Sequence, residues 1–506
     1  TITKPTDNFL PIVYEGNGAG QRVGDFIPFT DTFAVDDSCR FDEGDADSLY
    51  ATWGGAGDTQ KVTISFWMKR GNIDSQMSLI SANSTAATTA TDQINIIASN
   101  ALRTRGDNGN DWNLVTDRLF EDTSSWHHVV LAIDTTQTTA ADRINMYFDG
   151  VLLTNFSTET YPTLNFAMTG FNAARKHFVA TNDDANLYFD GYLAEICYVD
   201  GTQYAASDFG ETDTSTNRWI PKDPSGLTFG TNGFYLAFAS ENNLGDDTSG
   251  NGNDLTESNL DSTNGSNQMY DTPSQNFCTW NPAWKDSEAV LTEGNLKAVG
   301  ASTSSADRID STMFFPSTGK YYYEARVDAV DSTYPATGGG IFSSNFNSHP
   351  SQTGLGGFVI LNNTTAKVYV FNHVETASYT GTTLAAGDVI GVAINMDTGK
   401  FWFSYNGTFL GSGDPEAGTN ESGSIPAGMS TVMPSLSGYN GAGVTGNFGQ
   451  WRYFDGATTT LDSDAGGYFQ STSVPSGFKA LQQDNLPANT AGITGFSWIK
   501  NRDASD

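Results

Sequence analysis

Basic residues are scarce in this 506-residue chain. Lysine and arginine total 25 against 58 aspartates and glutamates, a formal charge of −33. Such a surface repels phosphate backbones and anionic bilayers, which argues against nucleic-acid binding and membrane docking. Cysteine is scarcer still. Cys39, Cys197 and Cys278 are far apart, odd in number and without CxxC spacing. They read as buried small hydrophobes, not as a disulfide framework. Neither they nor the five histidines cluster with zinc-ligand spacing. No apolar run approaches the ~18 residues of a spanning helix, and the polar N-terminus shows no leader pattern. Coiled-coil heptads, collagen triplets and long helical periodicity are missing, and so are an EF-hand loop and a Gly-x-Ser-x-Gly elbow. The expectation is a soluble chain without membrane insertion, either cytoplasmic or assembled into a larger particle.

What fills the sequence is short apolar runs separated by Gly, Ser, Thr, Asn and Asp, which predicts an all-β protein. In Lys61–Arg70, KVTISFWMKR, Val62, Ile64, Phe66 and Met68 share one face and Thr63, Ser65, Trp67 and Lys69 the other. WHHVVLAID (Trp126–Asp134) reads as a strand with one histidine toward the core and one toward solvent. Asp149-Gly150, Asp190-Gly191 and Asn406-Gly407 read as hairpin turns. Tyr204–Phe209 reads as a short helical turn. In the second half, Tyr321–Val327 reads as an early strand and Phe358–Leu361 with Ala366–Phe371 as a hairpin. Val432–Leu436 with Thr445–Phe448 is expected to close a sheet. Five segments follow: an N-terminal arm (1–35), a sandwich (36–220), a packed connector (221–276), a second sandwich (277–455) and a C-terminal extension (456–506). The ending FSWIKNRDASD reads as the first strand of a further domain, or as a tail that hydrogen-bonds to a partner.

Four pieces in order, RFDEGDADSLY, ISFWMKRG, WHHVVLAID with YFDGVLL, and FDGYLAEICYVDG, resemble concanavalin A-like domains of the laminin-G and pentraxin type. The stretch GDVIGVAINMDTGKFWFSYNGTFLG (Gly387–Gly411) resembles the core hairpin of SPRY domains, which are binding modules. The resemblances imply tandem antiparallel β-sandwiches, a concanavalin A-like jelly roll and then a SPRY-like one. The connector FGETDTSTNRWIPKDPSGLTFGTNGFYLAF followed by DTSGNGNDL is similar to that of structural proteins of marine bacteriophages with the same domain order. That resemblance implies a non-enzymatic protein on the virion surface, a head fibre, capsid decoration or tail fibre. Its expected partners are other virion proteins, met through the N-terminal arm, and a host surface glycan. A homo-oligomer is expected on symmetry grounds. The alternatives are a carbohydrate-binding adhesin as the main role, or a glycan-cleaving enzyme on the first fold.

Site candidates come from loops. Calcium is the candidate cation, because laminin-G and pentraxin relatives hold it through loop oxygens; Asp45, Asp47, Asp107 and Asp111 are its candidate ligands. Further acidic clusters lie at Asn182–Asp184 and Asp246–Asp254. Trp53 and Trp112, in loop-like context, are candidate stacking platforms for a sugar, with Asn110 and Asp111 as hydrogen-bond partners. Trp280 and Trp284 share that context, and core burial is the competing reading for each. Glycoside cleavage would need two facing carboxylates, and the nearest spacing is Glu324 with Asp328.

Overall fold

The computed structural model describes residues 33–487, except 84–90, 183–186, 215–216, 261–266, 304–306, 331–337, 344–355, 362–364, 371–373, 381–383, 426–431, 455–458 and 471–473. Across 338–380, and at 437, it describes the backbone alone. Apart from 33–35, the expected N-terminal arm lies outside the described residues, as does the ending from 488 onward. The described chain is all-β and divides into two compact units, 33–274 and 275–487.

The first unit is a sandwich of two eight-stranded antiparallel sheets. The first sheet runs, edge to edge, through Val151–Leu152, Ile144–Phe148, His127–Asp134, Lys61–Arg70, Gly191–Asp200, Ser38–Phe41 and Gln268–Met269. Phe234–Leu236 adds to Gly191–Asp200. The second sheet runs through Phe156–Thr160, Trp112–Leu119, Ala101–Gly106, Thr91–Ile96, Met77–Asn83, Lys176–Val179, Ser48–Thr52 and Thr256–Ser258. Side-chain alternation sends Val62, Ile64, Phe66 and Met68 inward to meet Ile94, Ile96, Leu102, Trp112 and Leu114 from the second sheet.

The outward face of the first sheet is not solvated. Ala206, Phe209 and Phe229 lie over it and, with Tyr235, pack on Val130, Cys197 and Val199. Strands Lys61–Arg70 and Gly191–Asp200 are therefore buried on both faces. Each outward residue of KVTISFWMKR acquires a partner. Thr63 donates to Thr202 O at 2.8 Å, and Ser65 meets His128 Nε2 at 2.8 Å. Trp67 stacks on His128 at 4.8 Å, and Lys69 Nζ pairs with Asp271 Oδ2 at 2.7 Å. The expectation that one histidine of WHHVV faces solvent is corrected here: His128 points outward but is covered by Trp219, 6.0 Å away.

The connector belongs to this unit. GTNGF and SGNGND are two halves of one clip: Asn251 Nδ2 donates to Gly230 O and Gly233 O, and Asn253 Nδ2 to Thr231 O and Gly233 O. Asp247 accepts from the amides of Tyr235, Ser249 and Asn253. Asp247 and Asp254 thus spend their oxygens on nearby backbone amides. Ala206–Asp208 forms the short helical turn. Asp149-Gly150 and Asn406-Gly407 make hairpin turns with φ of 48° and 75°, and 45° and 79°. Asp190-Gly191 does not, contrary to expectation. Gly191 opens a strand, and its bare Cα lets Lys69 O approach to where a Cβ would lie 2.3 Å away.

The second unit stacks a seven-stranded and a nine-stranded sheet. The nine-stranded sheet centres on Lys320–Ala329, flanked by Val389–Asn395 and Gly443–Asn447, with Lys400–Tyr405 beyond. Phe401 and Phe403 enter the core; Trp402 faces away, yet is buried and donates to Thr419 O at 2.9 Å. Gly356–Leu361 and Thr365–Val370 form the expected antiparallel pair. Val432–Gly438 and Gly443–Asn447 lie in different sheets, so they do not close one sheet together. Lys479–Ala480 adds in parallel to Tyr321–Tyr322, drawing part of the C-terminal segment into this unit.

The buried Lys69–Asp271 pair also anchors Trp126, whose Nε1 donates to Asp271 Oδ1 at 2.8 Å. Removing one member of a buried pair strands the other charge, at about 3–5 kcal/mol. Asp271→Ala is therefore expected to destabilise the first unit by about that much, read as a lowered urea midpoint against wild type.

Candidate functional site

Two polar assemblies stand out in the first unit. One surrounds His127 at the His127–Asp134 strand start. Its Nδ1 lies 2.9 Å from Asp149 Oδ2 and its Nε2 lies 3.2 Å from Asp122 Oδ2. Burial alone would lower its pKa, but the Asp149 charge and hydrogen bonds to both carboxylates push it up to about 10. The ring is an imidazolium held by two carboxylates. Ser124, the neighbouring hydroxyl, donates to Asp122 Oδ1 at 2.6 Å. No free base remains in this group for nucleophile activation. Beside it, Met68, Arg70, Phe120 and Phe148 help line a cavity of about 20 Å³. That holds one water, not a sugar. His128, next in sequence, is the opposite case: burial pushes its pKa down to about 3. Trp219 Nε1 donates to its Nδ1 at 3.0 Å, so the neutral ring carries its proton on Nε2, toward Ser65.

The other assembly lies on the outward face of the second sheet. Cross-strand register places Thr256, Tyr50, Phe178, Ser81, Gln93, Arg105, Asn113 and Thr160 in one row across all eight strands. Ser78, Asn95, Arg103, Val115 and Thr158 form the adjacent row. Ser81, Gln93 and Asn95 are the buried floor. Tyr50 and Lys176 on one side, and Arg103, Arg105 and Asn113 on the other, are half-buried. Lys176 Nζ sits 3.9 Å from the Tyr50 ring centre, a cation–π contact.

The two arginines fold back over the floor. Arg103 Nε donates to Asn95 Oδ1 at 3.0 Å. Gln93, with its oxygen toward Arg105, accepts from that guanidinium, with Nε at 2.5 Å. Both partners are neutral, and among the described residues neither arginine makes an ion pair. Burial holds the Arg103 pKa down to about 10, and Arg105 beside it adds repulsion; burial lowers Arg105 as well. Arg103 Nη2 and Asn95 Nδ2 are buried donors without an acceptor, and Asn113 Oδ1 is a buried acceptor without a donor. Each such orphan costs about 1–3 kcal/mol. Other unpartnered buried polar atoms, such as Arg70 Nε and Nη2, are scattered through the described residues; here three lie together on one sheet face.

The site residues expected from the sequence fall differently. Trp112, expected as a platform, is fully buried in the core with Nε1 donating to Thr104 Oγ1 at 3.3 Å. Its ring crosses Gly106, where a Cβ would lie 2.1 Å away, so glycine there turns it inward. Trp53 is 7% exposed and packs on His177 and Phe234 at 5.5 and 6.2 Å. Neither offers a face to a sugar, which corrects that expectation. Trp280 is buried and Trp284 is 38% exposed. Asn110 is exposed and donates to Asp107 Oδ2 at 3.0 Å; Asp111 is half-buried, its pKa raised by burial and by Asp107. This loop sits at the end of the band beside Arg105 and Asn113.

The calcium ligands are not brought together. Asp47 is buried and accepts from Asp42 N and Asn267 Nδ2, while Asp45 is exposed in the same turn. Asp107 belongs to the other loop, where its amide donates to Asp92 Oδ1. Among the described residues, no group of three or more His, Cys, Asp or Glu side chains is placed to hold a metal ion. Within the second unit, Glu324 is buried and accepts from Tyr322 Oη at 3.1 Å, while Asp328 pairs with Arg326 at 2.8 Å. The three cysteines are buried and free.

Residues 43–197 match the family model of the concanavalin A-like lectin/glucanases superfamily, and residues 320–450 match that of the SPRY domain. The chain carries a concanavalin A-like sandwich followed by a SPRY sandwich. These two domain types point to carbohydrate or protein binding. Solved structures with likeness include the SPRY domain of human HERC1, at 13% identity, 33% of this chain, 96% of that one and a TM-score of 0.27. Domains LG4-5 of the mouse laminin alpha1 chain are 8% identical over 88% of this chain and 93% of that one, at a TM-score of 0.27. A heptameric SAP-like pentraxin from Limulus polyphemus is 11% identical over 32% and 76%, at a TM-score of 0.25. No curated protein matches the chain.

Two outcomes follow for the concanavalin A-like sandwich. The raised pKa of His127 means that its stabilisation is full below the unfolded value near 6.5 and is lost as pH rises through about 10. Thermal unfolding of wild type is expected to weaken across that window, and His127→Asn to lack that alkaline limb. For the band, Arg103→Gln removes a repelled cation with one unpartnered nitrogen, and no ion pair. Its thermal midpoint is expected to equal or exceed that of wild type.

Proposed function

We propose that the chain is a non-enzymatic binding protein whose concanavalin A-like sandwich holds saccharides on the outward face of its second sheet. The observation that carries this reading is the band of Gln93, Asn95, Arg103, Arg105 and Asn113, with buried polar atoms lacking partners. Hydrogen-bonding side chains presented from rigid strands suit a polyhydroxylated ligand better than an apolar one. Supporting a binding role over catalysis, Glu324 and Asp328 are each committed to neighbours. The His127 group is likewise closed by its own carboxylates.

The order of domains and the FGE…SGNGND connector support a place on a phage particle, as a head fibre, capsid decoration or tail fibre. There the chain would contact other virion proteins through residues 1–35, assemble as a homo-oligomer and meet host glycans. The clip formed by GTNGF and SGNGND explains that motif as a structural device within the first unit, consistent with its use as a fixed connector.

Two measurements test the two halves. Affinity electrophoresis through polysaccharide-containing gels is expected to retard the chain; unretarded migration in every gel would remove the saccharide half. Cryo-electron microscopy of the source particles is expected to place the chain at symmetric surface positions. Recovery only from the particle-free fraction would remove the virion half.

A further inference from the structure

Resting on the saccharide reading above, we propose that the band selects an acidic sugar, one bearing a carboxylate or sulfate, through Arg103 and Arg105. In a chain with 58 acidic and 25 basic residues, carboxylates are plentiful as partners for half-buried arginines. Among the described residues these two have none: they sit two residues apart on one strand, with only the amide oxygens of Asn95 and Gln93 as side-chain partners. Arg103 Nη2 and Asn95 Nδ2 remain as donors with nothing to donate to. A pair of oxyanion oxygens is what a guanidinium fork and an adjacent amide N–H satisfy together.

Asn113 Oδ1 supplies the complementary need, a buried acceptor awaiting a donor. Free sulfate, which has no donor, cannot meet it, whereas the hydroxyl next to the acidic group of a sugar can. Tyr50 and Phe178, in the same cross-strand row, give the other end of the band aromatic character under Lys176. The overall charge of −33 opposes long polyanionic tracts at long range. The site therefore reads one acidic residue at short range, not a continuous charged polymer, and a nucleic acid is the least suitable occupant.

The test is a glycan array probed with the full chain and with Arg103→Gln, Arg105→Gln and Arg103→Lys. It carries neutral oligosaccharides beside their uronate, sialylated and sulfated counterparts, with titration calorimetry on the strongest spot. The expected result is binding to acidic spots at least about tenfold above the neutral parent. Each Gln variant is expected to lose about tenfold or more with an unchanged thermal midpoint, and Arg103→Lys to fall between, since it keeps the charge and loses the fork. The uronate and sulfate arms decide which acid group is read. Equal binding of neutral parents, or full binding by both Gln variants, overturns this inference while leaving the saccharide reading in place. A blank array overturns both.

Discussion

The first unit depends on a buried ion pair. Lys69 and Asp271 lie 202 residues apart in sequence and 2.7 Å apart in space, both almost wholly removed from water. Lys69 ends a central strand of the first sheet; Asp271 follows the last strand. Asp271 also receives Trp126 Nε1 and, through its backbone oxygen, Ser38 Oγ. Lys69, Trp126 and Ser38, distant in sequence, therefore converge on one residue. Such a pair is weak evidence for net stability, since apolar residues could fill the space, but its breakage is costly. It fixes which segment covers that end of the sheet.

From this closure follows the asymmetry between the two sheets of the concanavalin A-like sandwich. One sheet is covered outside by Ala206, Phe209 and Phe229, and its outward Thr63 and Ser65 are paired within the protein. The other presents a polar row in which atoms lack partners. Unmet hydrogen-bonding capacity is confined to a few places in a folded chain. Here a cluster of it falls on regular strands that side-chain alternation holds in place. The function argued above follows from that contrast and not from any loop.

Much of the fold was legible because the signals are local. KVTISFWMKR announced its inward face through a period of two, and Asn406-Gly407 announced its hairpin through tolerance of positive φ. What covers the outward face was not legible, because Trp219 and Phe229 reach it through tertiary packing that no strand pattern encodes. The same limit misplaced Val432–Gly438 and Gly443–Asn447, whose apolar patterns do not say which sheet receives them. Trp112 looked exposed because it follows an Asn/Asp/Gly turn; Gly106 across the ladder decides otherwise. The polar band had a signal that went unread. Gln93 with Asn95, and Arg103 with Arg105, are polar pairs at spacing two inside strands, where alternation puts each pair on one face. Their lack of carboxylate partners needed coordinates.

The parallel addition of Lys479–Ala480 to Tyr321–Tyr322 bears on how the SPRY sandwich is made in the cell. Cys278 N also donates to Leu481 O, so the segments that open and end the described part of that unit meet there. Loop closure over some two hundred residues must precede the reward of those contacts, which slows folding. While the ribosome is still delivering the intervening segments, the central strand Lys320–Ala329 waits with part of its register unoccupied. Nascent chains in that interval carry an open edge, the state in which β-rich proteins pair with the wrong neighbour. The strong negative charge of the chain gives neighbouring nascent copies a reason to stay apart until the edge is closed.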